Sequence, residues 1–217
     1  MKSTRSRAAL IASACLASAL AASPAHADSC TAMASANLGA GVKITSARRI
    51  AAGPAQAERG APPSARPAML PAHCMIEGVI APRTGAGGKN FGIGFAIAMP
   101  DQWTGRFLLQ GGGGLNGTVR PPLGAQAAGN TPALARGFAV ISHDSGHKGA
   151  VFDFSFMADQ RAALDFALAS VKAVGELGKA ITARYYRRPI AHSYMAGCST
   201  GGRETMEAMQ RFPEMFD

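Results

Sequence analysis

Gly197-Cys198-Ser199-Thr200-Gly201 is the stretch of this chain whose residue types and spacing can do chemistry. A serine flanked by glycines two residues away on either side is the G-x-S-x-G pattern of a nucleophile on a sharp strand-to-helix turn. Side chains at the glycine positions would collide with the neighbouring strand or helix, and the turn lifts the serine Oγ above the sheet. The N–H of Thr200 then points at the charge that develops on an attacked carbonyl oxygen. The chemistry would be acyl transfer, with Ser199 as nucleophile and Thr200 in the oxyanion hole. The plainer reading is a Gly/Ser turn that only joins two elements, and the pattern alone is common. Its setting, with Ile190–Ala196 reading as a strand and Glu204–Arg211 as the start of a helix, favours the nucleophile.

A second oxyanion donor is expected from the loop after an earlier strand, and the run Gly111-Gly112-Gly113-Gly114 is placed for it, through Gly113 or Gly114. Gly112-x-Gly114-x-x-Gly117 also matches a dinucleotide fingerprint in form. That reading fails because Thr118-Val119-Arg120-Pro121-Pro122 cannot open a helix and no acidic residue lies between Leu115 and His143 to hold a ribose. Gly85–Asn90 is not a P-loop, since Arg83 stands where its first glycine belongs and Asn90 where Ser or Thr belongs. A serine nucleophile also needs a base and a carboxylate to orient that base. His26, His73, His143, His147 and His192 all precede Ser199, and the carboxylates after it are Glu204, Glu207, Glu214 and Asp217. In α/β-hydrolases acid and histidine follow the serine. The expectation is therefore an N-terminal portion of a hydrolase, inactive by itself, with acid and base beyond residue 217.

The remaining candidates read as structural. His143-Asp144-Ser145-Gly146-His147 has an i,i+4 histidine pair, but its glycine and its place after a strand argue for a loop, so no metal site is expected. His192 reads as a core histidine of the strand before the elbow, His73 as a neighbour of Cys74, and Trp103 as packing at a turn. Asn116-Gly117-Thr118 is a glycosylation sequon by pattern.

These residues need elements to position them. The chain has 217 residues, 47% hydrophobic and 16% charged, which excludes disordered, collagenous and coiled-coil classes. Met75–Ile80, Phe91–Met99, Phe107–Leu109 and Phe138–Ser142 read as strands separated by Gly- and Pro-rich turns. Leu164, Leu168, Val171, Val174, Leu177 and Ile181 recur at helical spacing on one face, with Gly175 and Gly178 weakening the second half. Strands alternating with helices predict an α/β fold with a largely parallel sheet. Residues 1–27 read as a signal peptide, with Lys2, Arg5 and Arg7, an apolar stretch over 8–22 too short for a membrane span, and Ala25-His26-Ala27 before Asp28. Residues 28–73 read as a loop-rich lead-in and 74–217 as catalytic domain. Loss of the leader lowers the formal net charge from +9 to +6, and the remaining charges are scattered, so neither nucleic acid nor membrane is expected as a partner. Export also makes disulfides expected: Cys30 pairs with Cys74, worth roughly 4 kcal/mol on the chain-entropy account. Cys198 is left as a free thiol, an intermolecular bond, or half of a bridge to a partner beyond the chain.

Three stretches together resemble the tannase and feruloyl esterase family of α/β-hydrolases, a doubly wound, mostly parallel fold: Met99–Phe107 running into Gly111–Gly114; Gly137-Phe138-Ala139-Val140 leading to Asp144-Ser145-Gly146-His147; and Gly197–Arg203. The resemblance spans roughly residues 74–217. It implies Ser199 as nucleophile, with Thr200 and Gly113 or Gly114 as oxyanion donors. It implies a disulfide from Cys198 to a cysteine beside the catalytic histidine downstream. It further implies hydrolysis of aromatic-acid esters (galloyl, feruloyl or hydroxyethyl terephthalate) with no cofactor in this chain, and a lid domain absent here that often holds a structural calcium. The localisation implied is secreted or periplasmic. The alternative is a short, non-catalytic exported α/β protein that keeps the elbow for ligand binding.

Overall fold

The computed structural model describes residues 29–55, 67–125, 127 and 131–217. The expected signal peptide, and most of the Pro-rich run over 61–67, lie outside the described residues. Among the described residues eight strands form: β1 Val42–Ile50, β2 Gly53–Pro54, β3 Met69–Leu70, β4 His73–Thr84, β5 Asn90–Pro100, β6 Arg106–Gln110, β7 Ala139–His143 and β8 His192–Ala196. Six of them build one sheet in the order β1-β4-β5-β7-β6-β8, while β2 and β3 pair separately. The fold is that of an α/β-hydrolase. Its sheet is mixed: β6 runs parallel to both β7 and β8, while β1, β4, β5 and β7 are joined by antiparallel pairings. A short turn joins the antiparallel pair β4 and β5, and the parallel part needs long crossovers, one of which carries the main helix.

Period-two alternation sorts the side chains of the central strands onto two faces. Phe95, Ile97, Phe107, Leu109 and Ile141 point to one face, where Val171, Val174, Leu177 and Ile181 cover them. Ala98, Leu108 and Val140 point to the other, under Leu123, Ala133 and Leu134. With both faces covered, all five residues of β7 are buried, and β6 exposes only Arg106. Each such aliphatic side chain stabilises the fold by about 2 kcal/mol. Gly178 serves this packing, because a Cβ there would sit 2.8 Å from the Phe107 ring.

The covering helix is α1 Gln160–Leu164, a π-helical stretch Asp165–Ala169, and α2 Ser170–Tyr186. Asp159 caps it, accepting the Ala162 N–H at 2.9 Å. The π stretch inserts a residue and rotates the preceding turn. Leu164, expected on the core face, is therefore 48% exposed, while Asp165 is buried and accepts from Arg161 Nε at 3.1 Å.

The lead-in departs from a simple loop. Val42–Ile50 forms a nine-residue edge strand on β4, and the Cys30–Cys74 disulfide joins the segment before it to the start of β4. Lys43 and Arg48 on this edge disfavour pairing with a further strand. Trp103 packs as expected, stacked on Tyr186 at 4.2 Å. His192 does not: it opens β8 with its side chain 56% exposed, because the residue that faces inward there is Ser193.

Candidate active site

Strand β8 ends at Ala196 and helix α3, Thr200–Arg211, begins four residues later. Between them Ser199 adopts φ 57 and ψ −120, a conformation that residues with a Cβ rarely take. Close approach explains the glycines. A Cβ on Gly197 would lie 2.5 Å from the Gly201 carbonyl carbon, and one on Gly201 would lie 2.7 Å from the Gly112 oxygen. The first turn of α3 thus rests directly on the glycine loop after β6. Ser199 is exposed, and its Oγ makes no hydrogen bond among the described residues. The exposed Cys198 beside it is a free cysteine in this structure.

The loop after β6 is held at each successive peptide. Gly111 N–H donates to Ala196 O at 2.9 Å, and Gly112 N–H to Glu204 Oε2 at 2.9 Å. Asn116 N–H donates to Gly113 O at 3.0 Å, and Thr200 Oγ1 donates to Gly114 O. The N–H groups of Gly113, Gly114 and Thr200 make no hydrogen bond among the described residues. They are the three that the motif nominates as donors. Thr200 is at the first position of α3, where helix N–H groups have no intrahelical acceptor and carry partial positive charge.

Beneath this surface lies a polar cluster. Glu204 is fully buried one turn along α3 from Thr200. Its Oε1 accepts from Asn116 Nδ2 and, at 3.1 Å, from Ser145 Oγ; Asn116 Nδ2 also contacts Ser145 Oγ. His143 Nδ1 accepts the Ser145 N–H at 3.2 Å, which leaves the hydrogen of the neutral ring on Nε2, 3.6 Å from Glu204 Oε2. Burial lowers the His143 pKa, opposed by the charge of Glu204. The site of the sequon is also decided here: Asn116 is 5% exposed and engaged with Glu204, so its amide cannot accept a glycan.

Asp144 leads the next turn. Its Oδ1 accepts both the Gly94 N–H at 2.8 Å and the Gly146 N–H at 2.9 Å. Burial pushes its carboxyl up to about 7 against those two hydrogen bonds. Ser145 and Gly146 take positive φ, and Gly146 lets the loop touch the π stretch at Asp165. His147 stacks on Phe156 at 3.6 Å, so the two histidines of the motif serve separate packing roles. No group of three or more His, Cys, Asp or Glu that could hold a metal occurs among the described residues.

Sequence reasoning brought Ser199, Thr200 and the glycine run together, and they are adjacent. It missed Glu204, Asn116, Ser145 and His143 as a unit. The available signal was a glutamate at i+4 from Thr200, which puts it on the elbow-facing side of a helix laid against a glycine loop. A groove of about 900 Å³ lies elsewhere, between the π stretch and α3, lined by Met157, Phe166, Arg203, Met206 and Met209.

Residues 74–217 match the family described as tannase and feruloyl esterase. The mono(2-hydroxyethyl) terephthalate hydrolase of Piscinibacter sakaiensis is 43% identical over 165 residues, which is 72% of this chain and 27% of that protein. A probable feruloyl esterase B-1 of Aspergillus fumigatus is 39% identical over 55% of this chain and 21% of its own length. In three dimensions, feruloyl esterase B from Aspergillus oryzae superposes with a TM-score of 0.70 at 29% identity, covering 88% of this chain and 36% of that one. The chain thus spans about a fifth to a third of the length of these relatives. On motif, fold and similarity together, this chain belongs to the tannase and feruloyl esterase family.

Proposed function

We propose that this chain carries the nucleophile and the oxyanion hole of a serine esterase that hydrolyses esters of aromatic acids. The observation that carries the reading is Ser199: strained, exposed, its Oγ without a hydrogen bond among the described residues, and set at the N-terminus of α3 beside three N–H groups that have no acceptor among the same residues. Ser199 Oγ attacks the ester carbonyl carbon while a base takes its proton. The carbonyl oxygen becomes an oxyanion that accepts from Thr200 N–H and from Gly113 or Gly114 N–H. Collapse expels the alcohol, which regains the proton, and water then releases the acid from the acyl-enzyme.

No described histidine hydrogen-bonds to Ser199, so base and acid are assigned to polypeptide beyond residue 217. Cys198 is assigned a disulfide to that same polypeptide. The names of the relatives, a terephthalate monoester hydrolase and feruloyl esterases, support an aromatic acyl group. The Cys30–Cys74 bridge supports export to an oxidising compartment. No helix among the described residues is long and apolar enough to cross a membrane.

The test uses the full natural polypeptide that contains this sequence. Intact mass with and without reduction reports its length and the state of Cys198. A fluorophosphonate should label Ser199, and methyl ferulate or methyl gallate should be hydrolysed, with both lost in Ser199→Ala. A protein that neither labels nor hydrolyses any aromatic ester overturns the reading.

A further inference from the structure

The buried Glu204 has no part in the acyl-transfer chemistry, yet it is hydrogen-bonded to the glycine loop directly and, through Asn116, a second time. Its Oε2 takes the Gly112 N–H at 2.9 Å, one peptide before the unpaired N–H of Gly113. Its Oε1 gathers Asn116 and Ser145, and Asn116 returns to the loop by donating its own N–H to Gly113 O at 3.0 Å. Thr200, one turn earlier on the same helix, closes the far end through Gly114 O. A loop of four glycines has no side chains to lock it, and glycine carries the largest backbone entropy of any residue. Something outside the run must therefore select one loop conformation, and the contacts at Gly112 and, through Asn116, at Gly113 converge on a carboxylate fully removed from solvent.

We propose that Glu204 is a positioning residue for acyl transfer: it holds Gly112 so that the N–H of Gly113 or Gly114 meets the oxyanion. This rests on the reading of Ser199 as nucleophile. The groups facing the carboxylate are Gly112 N–H, Asn116, Ser145, His143 Nε2 at 3.6 Å and, on its own helix, Arg203 Nη2 at 3.9 Å. An oxyanion donor matters in the transition state more than in the bound substrate, so misplacing it lowers kcat and leaves KM.

The variants separate this role from stability. In Glu204→Gln the amide oxygen can keep the Gly112 N–H. The new NH2 replaces an oxygen that accepts from both Asn116 Nδ2 and Ser145 Oγ, so the Asn116 amide turns over to present its unpartnered Oδ1 and the Ser145 hydroxyl reverses. Glu204→Leu leaves Gly112 N–H without an acceptor, and Glu204→Asp keeps the charge but is one methylene too short. In the full polypeptide, Leu and Asp should lower kcat for p-nitrophenyl butyrate about 10- to 100-fold with KM within about twofold, less than or near the loss of a whole donor. Fluorophosphonate labelling should slow by the same factor, and Gln should stay within about threefold of the parent. Asp serves if Leu does not fold. Folded Leu and Asp variants with parental kcat overturn the proposal, as does a Gln variant as impaired as Leu. If the parent itself neither labels nor turns over ester, the nucleophile reading has failed instead.

Discussion

Gly111 and Gly201 meet backbone to backbone: a Cβ on Gly111 would lie 2.7 Å from the Gly201 Cα, and one on Gly201 2.9 Å from the Gly111 carbonyl carbon. Neither chain can yield. Gly111 is tied to Ala196 and Gly112 to Glu204, and α3 is anchored by the elbow. Gly201→Ala is expected to cost about 1–3 kcal/mol, as overpacking does in closed interiors, and to displace Gly112. Urea unfolding and the fluorophosphonate labelling rate check it together. A variant that unfolds within about 0.5 kcal/mol of the parent and labels equally fast would show that the loop moves aside freely.

Ser199 stores strain for the sake of its position. At φ 57 and ψ −120 a residue with a Cβ costs about 1–3 kcal/mol, and glycine avoids most of that while losing more chain entropy on folding. Ser199→Gly should therefore stabilise the fold by about 1 kcal/mol net, whereas Ser199→Ala, which keeps the Cβ, should gain nothing. The urea midpoints of the two variants decide the matter; equal midpoints would mean the elbow is unstrained.

Asp144 makes stability depend on pH. Its folded carboxyl titrates at about 7 because it is buried, while in the unfolded chain it titrates near the ordinary value of about 4. Between those values the folded state binds the extra proton. Stability is therefore greatest at the acid end of this window and falls as pH rises, by at most about 1.4 kcal/mol per pH unit, levelling above about pH 7. Asp144→Asn keeps Oδ1 for Gly94 and Gly146 and removes the titration. Its unfolding free energy, followed from pH 4 to pH 8, should lose this slope and exceed that of the parent at the alkaline end. Parallel curves for the two proteins would refute the assignment.

The elements with strong local periods are legible in the sequence. Phe107–Leu109 lies within β6 and the expected strand over 138–142 is β7 shifted by one residue, and Val171, Val174, Leu177 and Ile181 face the core, because alternation and helical spacing are properties of adjacent residues. Leu164 was misplaced because a π turn changes the period by one residue, which no pattern of apolar positions announces. The place of His192 in a strand suggests burial, but inward direction depends on register, and register puts Ser193 inside. The strand Val42–Ile50 was hidden by its Lys and Arg residues, which suit an edge.

The sequence by itself determined that Ser199 stands on a turn between a strand and a helix, since glycines at 197 and 201 leave room only there. It also nominated Thr200 and the run 111–114 to stand beside the serine, because these residue types suit N–H donation and close backbone approach. Only the tertiary structure decided which of the four carboxylates after Ser199 is buried, that Asn116 is an internal clamp instead of a glycan acceptor, and that His143 faces Glu204. Those assignments join residues 29 to 92 positions apart. The direction of a side chain across such a span is set by how β6, β7 and α3 pack, and local spacing carries no record of it.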